Sequence, residues 1–370
     1  MKLIIVKSNL KDGIAVVQGG SIENLNLPIL RNLLLETTSN KIKITTTNLE
    51  LGLSFILNGK IIEEGKTAVP VALLSSVINN LQSERLNLEK KNNGLHIITD
   101  NYEATIQGLP PEDFPLIPKI KNELESFVLS SEILKEALSQ VITASQINDL
   151  RPELNSILFD FSLDAIKIVA TDSFRLAEKT IGNTRFKSKE GESFRVLIPL
   201  KTAQEIARIL KDEEEVSIYR DEHQILFKTD QWECISRLTE GTFPDYLPII
   251  PKKFASEIIL NRQEFINALK LAGVFGSQVN EVKIKTHESK KAIEIFSMSQ
   301  TAGENRYMLS AKVQGEVKEV GFNWRYLIDG LKALKTEDVS FRLNEDNKPA
   351  LLKSPGDASY FYILMPVLRT

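Results

Sequence analysis

Two proline-rich segments of the same kind, roughly 130 residues apart, constrain this chain more than any other feature. The first reads GLPPEDFPLIP at 108–118 and the second reads GTFPDYLPIIP at 241–251. Each opens on glycine, contains Phe-Pro and closes on Ile-Pro, and prolines stop regular structure. A strand-like run, Tyr360–Leu364, meets Pro366 where a third copy would fall. The spacing predicts three repeated domains; the alternative is that proline-rich loops recur in long chains without a repeat.

The segments that precede these endings share one order of predicted helices and strands. The middle third alternates helical apolar spacing with strand-like runs: helices start near 131 and at 200, and strands lie at 156–161, 165–170, 175–180, 215–220, 224–229 and 232–238. The first and last thirds repeat this order of strand, helix and strands twice each. The pattern predicts an α+β fold of three repeated domains, 1–122, 123–252 and 253–370, each with two helices packed on antiparallel sheets. Such an array closes into a ring if the rotation between units allows it.

Composition indicates a soluble globular protein of two or three domains, with 370 residues, 42% hydrophobic and 26% charged. No apolar run reaches the roughly 18–20 residues that a membrane span needs, and the start of the chain lacks the features of a signal peptide. A single cysteine, Cys234, excludes an internal disulfide framework and fits a reducing compartment. We therefore expect a cytoplasmic protein.

No pattern typical of catalysis is present. The sequence contains neither a dinucleotide or phosphate-binding glycine motif nor HExxH or GxSxG, and its three histidines lie far apart. The acidic run Asp212–Glu215 lacks the spacing of a calcium loop and is typical of a solvated turn. We expect no cofactor, no metal and no enzymatic activity.

Charge is nearly balanced, with 46 basic and 49 acidic residues and a net charge of −3. This argues against a basic protein that reads DNA grooves, although a local basic face remains compatible with it. Eight basic residues are expected on the predicted helices: Lys135, Lys201, Arg208, Lys211, Lys270, Arg325, Lys332 and Lys335. They indicate either ordinary amphipathic helices or a surface that meets a polyanion loosely, through phosphates and without reading bases.

Three short segments resemble the bacterial DNA polymerase III beta subunit, the sliding-clamp family. These are TDSFRLA at 171–177, GTFPDY at 241–246 and ILMPV at 363–367; NLPILRNLLL at 26–35 and TNLEL at 47–51 resemble the same family. The resemblance covers the whole chain. It implies clamp-type domains and a head-to-tail homodimer that forms a six-domain ring, with helices lining the hole and sheets outside.

The resemblance implies a DNA polymerase processivity factor that encircles and slides on double-stranded DNA. Encirclement gives long residence without the tight phosphate contacts that slow sliding. The residues expected to face DNA are Lys135, Arg151, Lys201, Arg208, Lys211, Lys270, Lys332 and Lys335. The expected protein partners are the polymerase III catalytic subunit, the clamp loader and other proteins that carry a clamp-binding motif.

The resemblance also implies a pocket for partner peptides between the middle and last domains, with apolar walls and a few polar groups. Matching the family's motifs places in it Leu154, Thr171, Ser173, Phe174, Arg175, Leu176, Pro244, Ile249, Ile363, Met365, Pro366 and Val367. Leu154, Leu176 and Ile363 are alternatively plain core, and Arg175 is alternatively a structural ion-pair former. Two departures concern this pocket: Phe174 stands where the family often has histidine, and Arg369 lies one place later than the family's arginine.

The dimer interface is expected to join an edge strand of the first domain to the last domain. Its residues would be Tyr102, Ala104 and Ile106 on one side and Val274 and Phe275 on the other. Two other functions stay open: a repeat scaffold that binds proteins without encircling DNA, and an enzyme with its site between repeats. The second would need a titratable cluster that the sequence does not display.

Overall fold

The computed structural model describes residues 1–39, 41–120, 126–146, 151–188, 193–276, 279–289, 291–317, 319–344 and 347–367. The chain divides into two compact units. Unit 1 comprises Met1–Glu132, Lys187–Gly191 and Arg208–Leu238; unit 2 comprises Ile133–Phe186, Glu192–Ala207 and Thr239–Thr370. Both units contain parts of the middle third. The boundaries predicted from sequence therefore stay predictions, and the one at 122–123 falls outside the described residues, as does Arg369.

Six helices of ten to thirteen residues lie in the described part of the chain, two for each predicted repeat. They are α1 (Lys7–Val17), α2 (Val71–Asn80), α3 (Ser131–Val141), α4 (Leu200–Ile209), α5 (Arg262–Val274) and α6 (Trp324–Ala333). Their number, and the starts of α3 and α4, confirm the helices predicted from apolar periodicity. Every one of these described helices is too short or too polar to span a bilayer.

The strands are numbered in chain order. The first eighteen are β1 (Lys2–Val6), β2 (Asn32–Thr38), β3 (Lys41–Thr47), β4 (Leu51–Leu57), β5 (Gly59–Glu63), β6 (Gly65–Pro70), β7 (Arg85–Lys91), β8 (Gly94–Ile98), β9 (Glu103–Ile106), β10 (Ser126–Ser130), β11 (Ser156–Phe161), β12 (Ala165–Thr171), β13 (Arg175–Gly182), β14 (Phe186–Ser188), β15 (Phe194–Pro199), β16 (Glu215–Arg220), β17 (Gln224–Lys228) and β18 (Trp232–Arg237). The remainder are β19 (Ser256–Asn261), β20 (Glu281–Thr286), β21 (Ala292–Ser299), β22 (Gly303–Ser310), β23 (Lys312–Gly315), β24 (Val320–Asn323), β25 (Asp338–Leu343), β26 (Ala350–Lys353) and β27 (Tyr360–Leu364).

Four sheets contain these strands. Unit 1 has a five-stranded sheet in the order β5-β1-β7-β8-β9 and a nine-stranded sheet in the order β14-β10-β16-β17-β18-β4-β3-β2-β6. Unit 2 has a nine-stranded sheet in the order β15-β11-β12-β13-β27-β26-β25-β19-β23 and a four-stranded sheet in the order β22-β21-β20-β24. The described pairings are antiparallel, such as β4 with β18 and β13 with β27, which confirms the predicted α+β class.

In unit 1, helix α1 packs closely on β3 and β4 because it carries glycine at position 13. A Cβ atom there would lie 2.7 Å from Leu57 Cδ2 and 2.9 Å from Ile44 Cδ1. Glycine normally weakens a helix interior, and here it permits the close approach of helix and sheet. The apolar side chains of α1, among them Leu10 and Ile14, are buried against that sheet.

In unit 2, helix α6 packs on β27 in the same way. A Cβ at Gly330 would lie 2.6 Å from Tyr362 Cδ1, so only glycine allows this approach. Helix α5 begins at a side-chain cap, since Asn261 Oδ1 accepts a hydrogen bond from Glu264 N at 3.0 Å. Asn261-Arg-Gln-Glu264 is a capping-box-like start in the sequence, and the structure confirms the cap that it predicts.

The sequence patterns did not predict several strands, of which β4 and β22 illustrate the reason. Strand β4 is buried along almost its whole length, so it lacks the alternation that identifies a half-buried strand. Strand β22 is polar and largely exposed, so its sequence does not alternate between buried apolar and exposed polar residues. It lies at the edge of its sheet, where it pairs with β21.

Candidate functional site

A tight turn between β12 and β13 in unit 2 carries the first group of predicted pocket residues. Thr171 Oγ1 donates to Arg175 O at 2.7 Å and accepts from Ser173 N at 3.2 Å. Asp172 Oδ1 accepts from Phe174 N at 2.9 Å and from Arg175 N at 3.0 Å. Ser173 has φ of 78°, a left-handed conformation that these bonds stabilise. The turn therefore projects Phe174 into solvent, with 60% of its surface exposed.

Arg175 joins this turn to helix α6. Its Nε lies 2.9 Å from Asp172 Oδ2, its Nη1 lies 2.6 Å from Asp329 Oδ2, and its guanidinium lies 4.2 Å from the ring centroid of Tyr326. Burial alone would lower the pKa of Arg175, but the acidic groups Tyr362, Asp172 and Asp329 raise it above its ordinary value. The guanidinium is permanently charged and already paired, which agrees with the structural alternative for this residue.

Two predicted pocket residues lie opposite each other in the sheet. Leu176 on β13 pairs with Ile363 on β27, and both belong to a buried cluster with Phe243 and Tyr246. Leu154, also predicted for the pocket, is buried as well. In this conformation the three aliphatic residues form the interior beneath the surface.

The Phe-Pro loop is held in place by a hydrogen bond between buried groups. Tyr246 Oη donates to Glu178 Oε2 at 2.5 Å, and burial together with this bond raises the pKa of Tyr246. Pro244 is half-buried at the start of the loop, and Ile249 is exposed at its end. Sequence reasoning missed this bond, because Glu178 and Tyr246 are 68 positions apart and Glu178 lies outside the motifs.

The chain end lies beside this loop. Met365 N donates to Phe174 O and Val367 N donates to Gly321 O, both at 2.8 Å. Pro366 between them is buried. A cavity of about 570 Å³ opens here, lined by Ile249 and Met365 together with Pro248, Pro251, Lys252, Lys253, Phe254, Ala255, Asn344, Lys348 and Pro349. The structure thus places Ile249 and Met365 around one opening.

Arg151 lies near the turn described above. Its Nη1 is 3.4 Å from Ser173 Oγ, and its Nε is 3.1 Å from Glu153 Oε1. These contacts place Arg151, expected from the resemblance to face DNA, beside the predicted pocket residues.

The other basic residues expected to face DNA separate into two groups. Lys135, Lys201, Arg208, Lys270 and Lys332 lie on helices, whereas Lys211 and Lys335 lie two residues beyond the ends of α4 and α6. The expectation that all of these side chains sit on helices was therefore wrong for two of them.

Arg208 and Lys335 are examples of these basic side chains that already have protein partners. Arg208 donates to Ala15 O at 2.6 Å and to Val16 O at 2.9 Å, carbonyl groups at the end of α1. Lys335 Nζ lies 3.0 Å from Glu136 Oε2. By contrast Lys201, Lys211, Lys270 and Lys332 are exposed, and no ion pair involves them within the described ranges.

The predicted dimer strand is an edge strand. Residues 103–106 form β9, the last strand of the five-stranded sheet, as predicted. Tyr102 is exposed, Ala104 is half-buried and Ile106 is buried. In unit 2, Val274 at the end of α5 is 69% exposed, next to the half-buried Phe275.

The part of the chain that the structure describes contains no group of three or more His, Cys, Asp or Glu side chains that could hold a metal ion.

Three family models match successive parts of the chain. They describe the DNA polymerase III beta subunit: its N-terminal domain at residues 1–118, its central domain at residues 128–245 and its C-terminal domain at residues 248–368. Together they account for nearly the whole sequence.

Individual relatives match over the same extent. The beta sliding clamp of Synechocystis is 28% identical over 99% of both chains, and that of Bacillus subtilis is 26% identical over 99% of both. The crystal structure of the B. subtilis sliding clamp superposes with a TM-score of 0.93 at 25% identity, covering all of both chains. A Pseudomonas aeruginosa clamp bound to griselimycin gives a TM-score of 0.93 at 24% identity and the same coverage.

Proposed function

The chain belongs to the family of the DNA polymerase III beta subunit, the beta sliding clamp, and from this premise we propose that two copies close into a ring around duplex DNA. The family consists of processivity factors, which act by binding rather than by catalysis. The full-length match to clamps, in sequence and in fold, carries this proposal. The ring would hold the replicative polymerase on its template in the cytoplasm.

Contact with DNA is proposed to be electrostatic and independent of sequence. Support comes from the exposed ammonium groups of Lys201, Lys211, Lys270 and Lys332, which form no ion pair with the described residues. Arg208 and Lys335 have protein partners and contribute less, since a paired charge attracts a phosphate less strongly. Arg151 is proposed to act at the peptide pocket, because its guanidinium reaches the turn at Ser173.

Partner proteins are proposed to dock on unit 2 through a short peptide. Support comes from Phe174, Ile249 and Met365, which are apolar and at least partly accessible, and from the 570 Å³ cavity beside the last two. Leu154, Leu176 and Ile363 would support this surface from below. An aliphatic or aromatic peptide side chain would fill the opening as an anchor.

The ring is proposed to close by joining β9 of one chain to the last domain of the other. A free sheet edge presents unpaired N–H and C=O groups that a second strand can satisfy. The exposed Val274 supplies apolar area beside such a junction, and β22 is an edge strand of the sheet against which α5 packs.

The test is retention on DNA of defined topology. A clamp loaded on nicked circular DNA should stay bound through gel filtration, and it should dissociate when the circle is cut once. Equal retention on circular and linear DNA would contradict encirclement and would favour the alternative, a scaffold that binds proteins without encircling DNA.

A further inference from the structure

A turn in unit 1 has the same hydrogen bonds as the turn of the proposed peptide pocket. Thr47 Oγ1 donates to Leu51 O at 2.9 Å and accepts from Leu49 N at 3.0 Å. Asn48 Oδ1 accepts from Glu50 N at 3.0 Å and from Leu51 N at 2.7 Å. Leu49 has φ of 76°, the left-handed conformation that Ser173 adopts in the pocket turn. Thr47–Leu51 is therefore a second copy of the turn at Thr171–Arg175.

In both turns, the carbonyl group of the fourth residue accepts a hydrogen bond from the chain segment that pairs with the following strand. In unit 1, Arg237 N donates to Glu50 O at 2.9 Å, as Met365 N donates to Phe174 O in unit 2. The pairing of β4 with β18 sets Gly52 opposite Ile235. The equivalent pair in unit 2 is Leu176 with Ile363. Gly52 thus occupies the place of Leu176.

This replacement of leucine by glycine removes a side chain from the sheet surface. In its place, Ile117 from the first Phe-Pro loop packs over the backbone: a Cβ at Gly52 would lie 3.0 Å from Ile117 Cδ1. A groove of about 610 Å³ runs beside this contact, with Ile235, Leu226 and the loop 111–120 in its walls.

We propose that this groove, on unit 1, is a second docking site for a peptide segment of a partner protein. The proposal rests on the proposed function, because it takes the turn of unit 2 to mark a peptide site. The occupant is a peptide from the same partners, since a duplicated turn and strand pair offers a similar backbone frame to a similar ligand.

The lining determines the kind of anchor that fits. Leu51 replaces Arg175 and is buried, so this turn carries no guanidinium. Thr45 and Ser54, the buried polar side chains named in the lining of the described groove, are hydrogen-bonded to each other at 3.1 Å. The charged side chains of the lining balance: Lys43 pairs with Glu233 at 3.1 Å and Lys66 with Glu112 at 3.8 Å. Glu36 and Lys119 add one charge of each sign. An uncharged aliphatic or aromatic anchor therefore suits this groove.

Leu116 supplies the accessible apolar area for such an anchor. It lines the groove and is 98% exposed, although its neighbour Ile117 is packed inward. A ligand that covers this leucine removes its apolar surface from water, which favours binding.

The experiment uses the full-length protein, deuterated and carrying ¹³C-labelled isoleucine methyl groups. The probe is a synthetic peptide from the clamp-binding segment of the polymerase III catalytic subunit. Ile249→Lys, at an exposed position, blocks the proposed pocket in unit 2. In this variant we expect the methyl signals of Ile117 and Ile235 to shift saturably with peptide.

Adding Leu116→Glu to that variant should weaken this second binding about tenfold. Leu25→Glu is the matched control, since Leu25 is a fully exposed leucine of the same unit outside the groove, and it should leave the affinity unchanged. Thermal melting of both variants checks that the fold is retained.

Unshifted Ile117 and Ile235 signals at millimolar peptide would overturn the second site. If wild type still showed saturable shifts at Ile249 under those conditions, the proposed pocket would stand alone. Absence of shifts at both places would overturn both proposals. Shifts at Ile117 that follow protein concentration without peptide would identify a second copy of the chain as the occupant and would also overturn the peptide proposal.

Discussion

At the residue scale, Arg175 and Phe174 are neighbours with opposite roles. Arg175 is buried between Asp172 and Asp329 and connects the pocket turn to helix α6. The side chain of Phe174 points outward, with 60% of the residue's surface exposed. A change at the first position should act on stability, and a change at the second should act on binding.

Arg175→Ala should lower the free energy of unfolding by about 3 kcal/mol, because it leaves Asp172 buried without its partner. The matched control is Arg195→Ala, which breaks an exposed pair with Asp160 and should cost less than about 1 kcal/mol. Urea denaturation followed by circular dichroism measures both changes. Equal effects of the two variants would show that the buried position of Arg175 is unimportant.

Phe174→Ala should reduce affinity for the polymerase-derived peptide about tenfold while leaving the melting temperature unchanged. The control is Leu163→Ala, an apolar residue of similar exposure in the same unit, 58% against 60%. Fluorescence anisotropy with a labelled peptide gives the affinities. Unaltered binding by the Phe174 variant would remove this residue from the proposed pocket.

At the scale of elements, a few charged side chains connect separate helices and strands. Glu136 on α3 lies 3.3 Å from Lys179 on β13 and 3.0 Å from Lys335, just beyond α6. Burial raises the pKa of Glu136, but the hydrogen bond and charge of Lys335 and the charge of Lys179 outweigh it and lower the pKa below the ordinary 4.5. The carboxylate therefore connects three elements only while it is ionised.

This predicts a pH dependence of stability. A carboxylate with a lowered folded-state pKa contributes stability above its unfolded pKa, and the contribution disappears as pH falls through the folded value. Glu136→Gln should thus melt below wild type at pH 7, and the gap should shrink as pH falls below 4.5. Calorimetry at several pH values measures it. A gap that stays constant with pH would show that the charge of Glu136 is not responsible.

The proposed dimer junction also belongs to this scale. Val274→Asp at the exposed end of α5 should weaken dimerisation at least tenfold, because it places a charge in an apolar contact. Leu163→Asp, at an exposed position elsewhere in unit 2, is the control and should leave the dimer intact. Sedimentation velocity over a range of concentrations reports the equilibrium. A dimer of unchanged strength would place the junction elsewhere.

At the scale of the whole molecule, a ring needs only a weak attraction to its DNA. Net charge is −3, so the proposed attraction is assigned to local groups such as the exposed lysines of the helices. In the proposed ring, encirclement would supply the long residence, and the weak contacts would leave the ring free to slide.

Replacing Lys201, Lys270 and Lys332 together by alanine should reduce loading on circular DNA, equally for unrelated sequences. The salt dependence should flatten by about one unit of slope for each phosphate that the protein no longer neutralises. The control removes the same charge from exposed strand lysines, Lys41, Lys60 and Lys312. A stronger defect in the control would show that the helices do not face DNA.

The sequence by itself determined the repeat, the six helices, most strands, the edge position of β9 and the family. These features depend on local periodicity, on proline and glycine signals and on short motifs such as TDSFRLA at 171–177. Apolar periodicity is a property of a few neighbouring residues, so it can be recognised in the sequence without knowing the packing. For the same reason it failed at β4, which is buried on both faces.

Only the tertiary structure decided which side chains are accessible and which are paired. Asp329 lies 154 positions from Arg175, so no local pattern indicates their bond. Likewise, the burial of Leu176 beneath Phe243 and the pairing of Arg208 with α1 depend on long-range contacts. Burial and charge pairing depend on contacts within a few ångströms between segments that folding brings together. Such contacts form between residues at any sequence separation, so local sequence patterns do not indicate them.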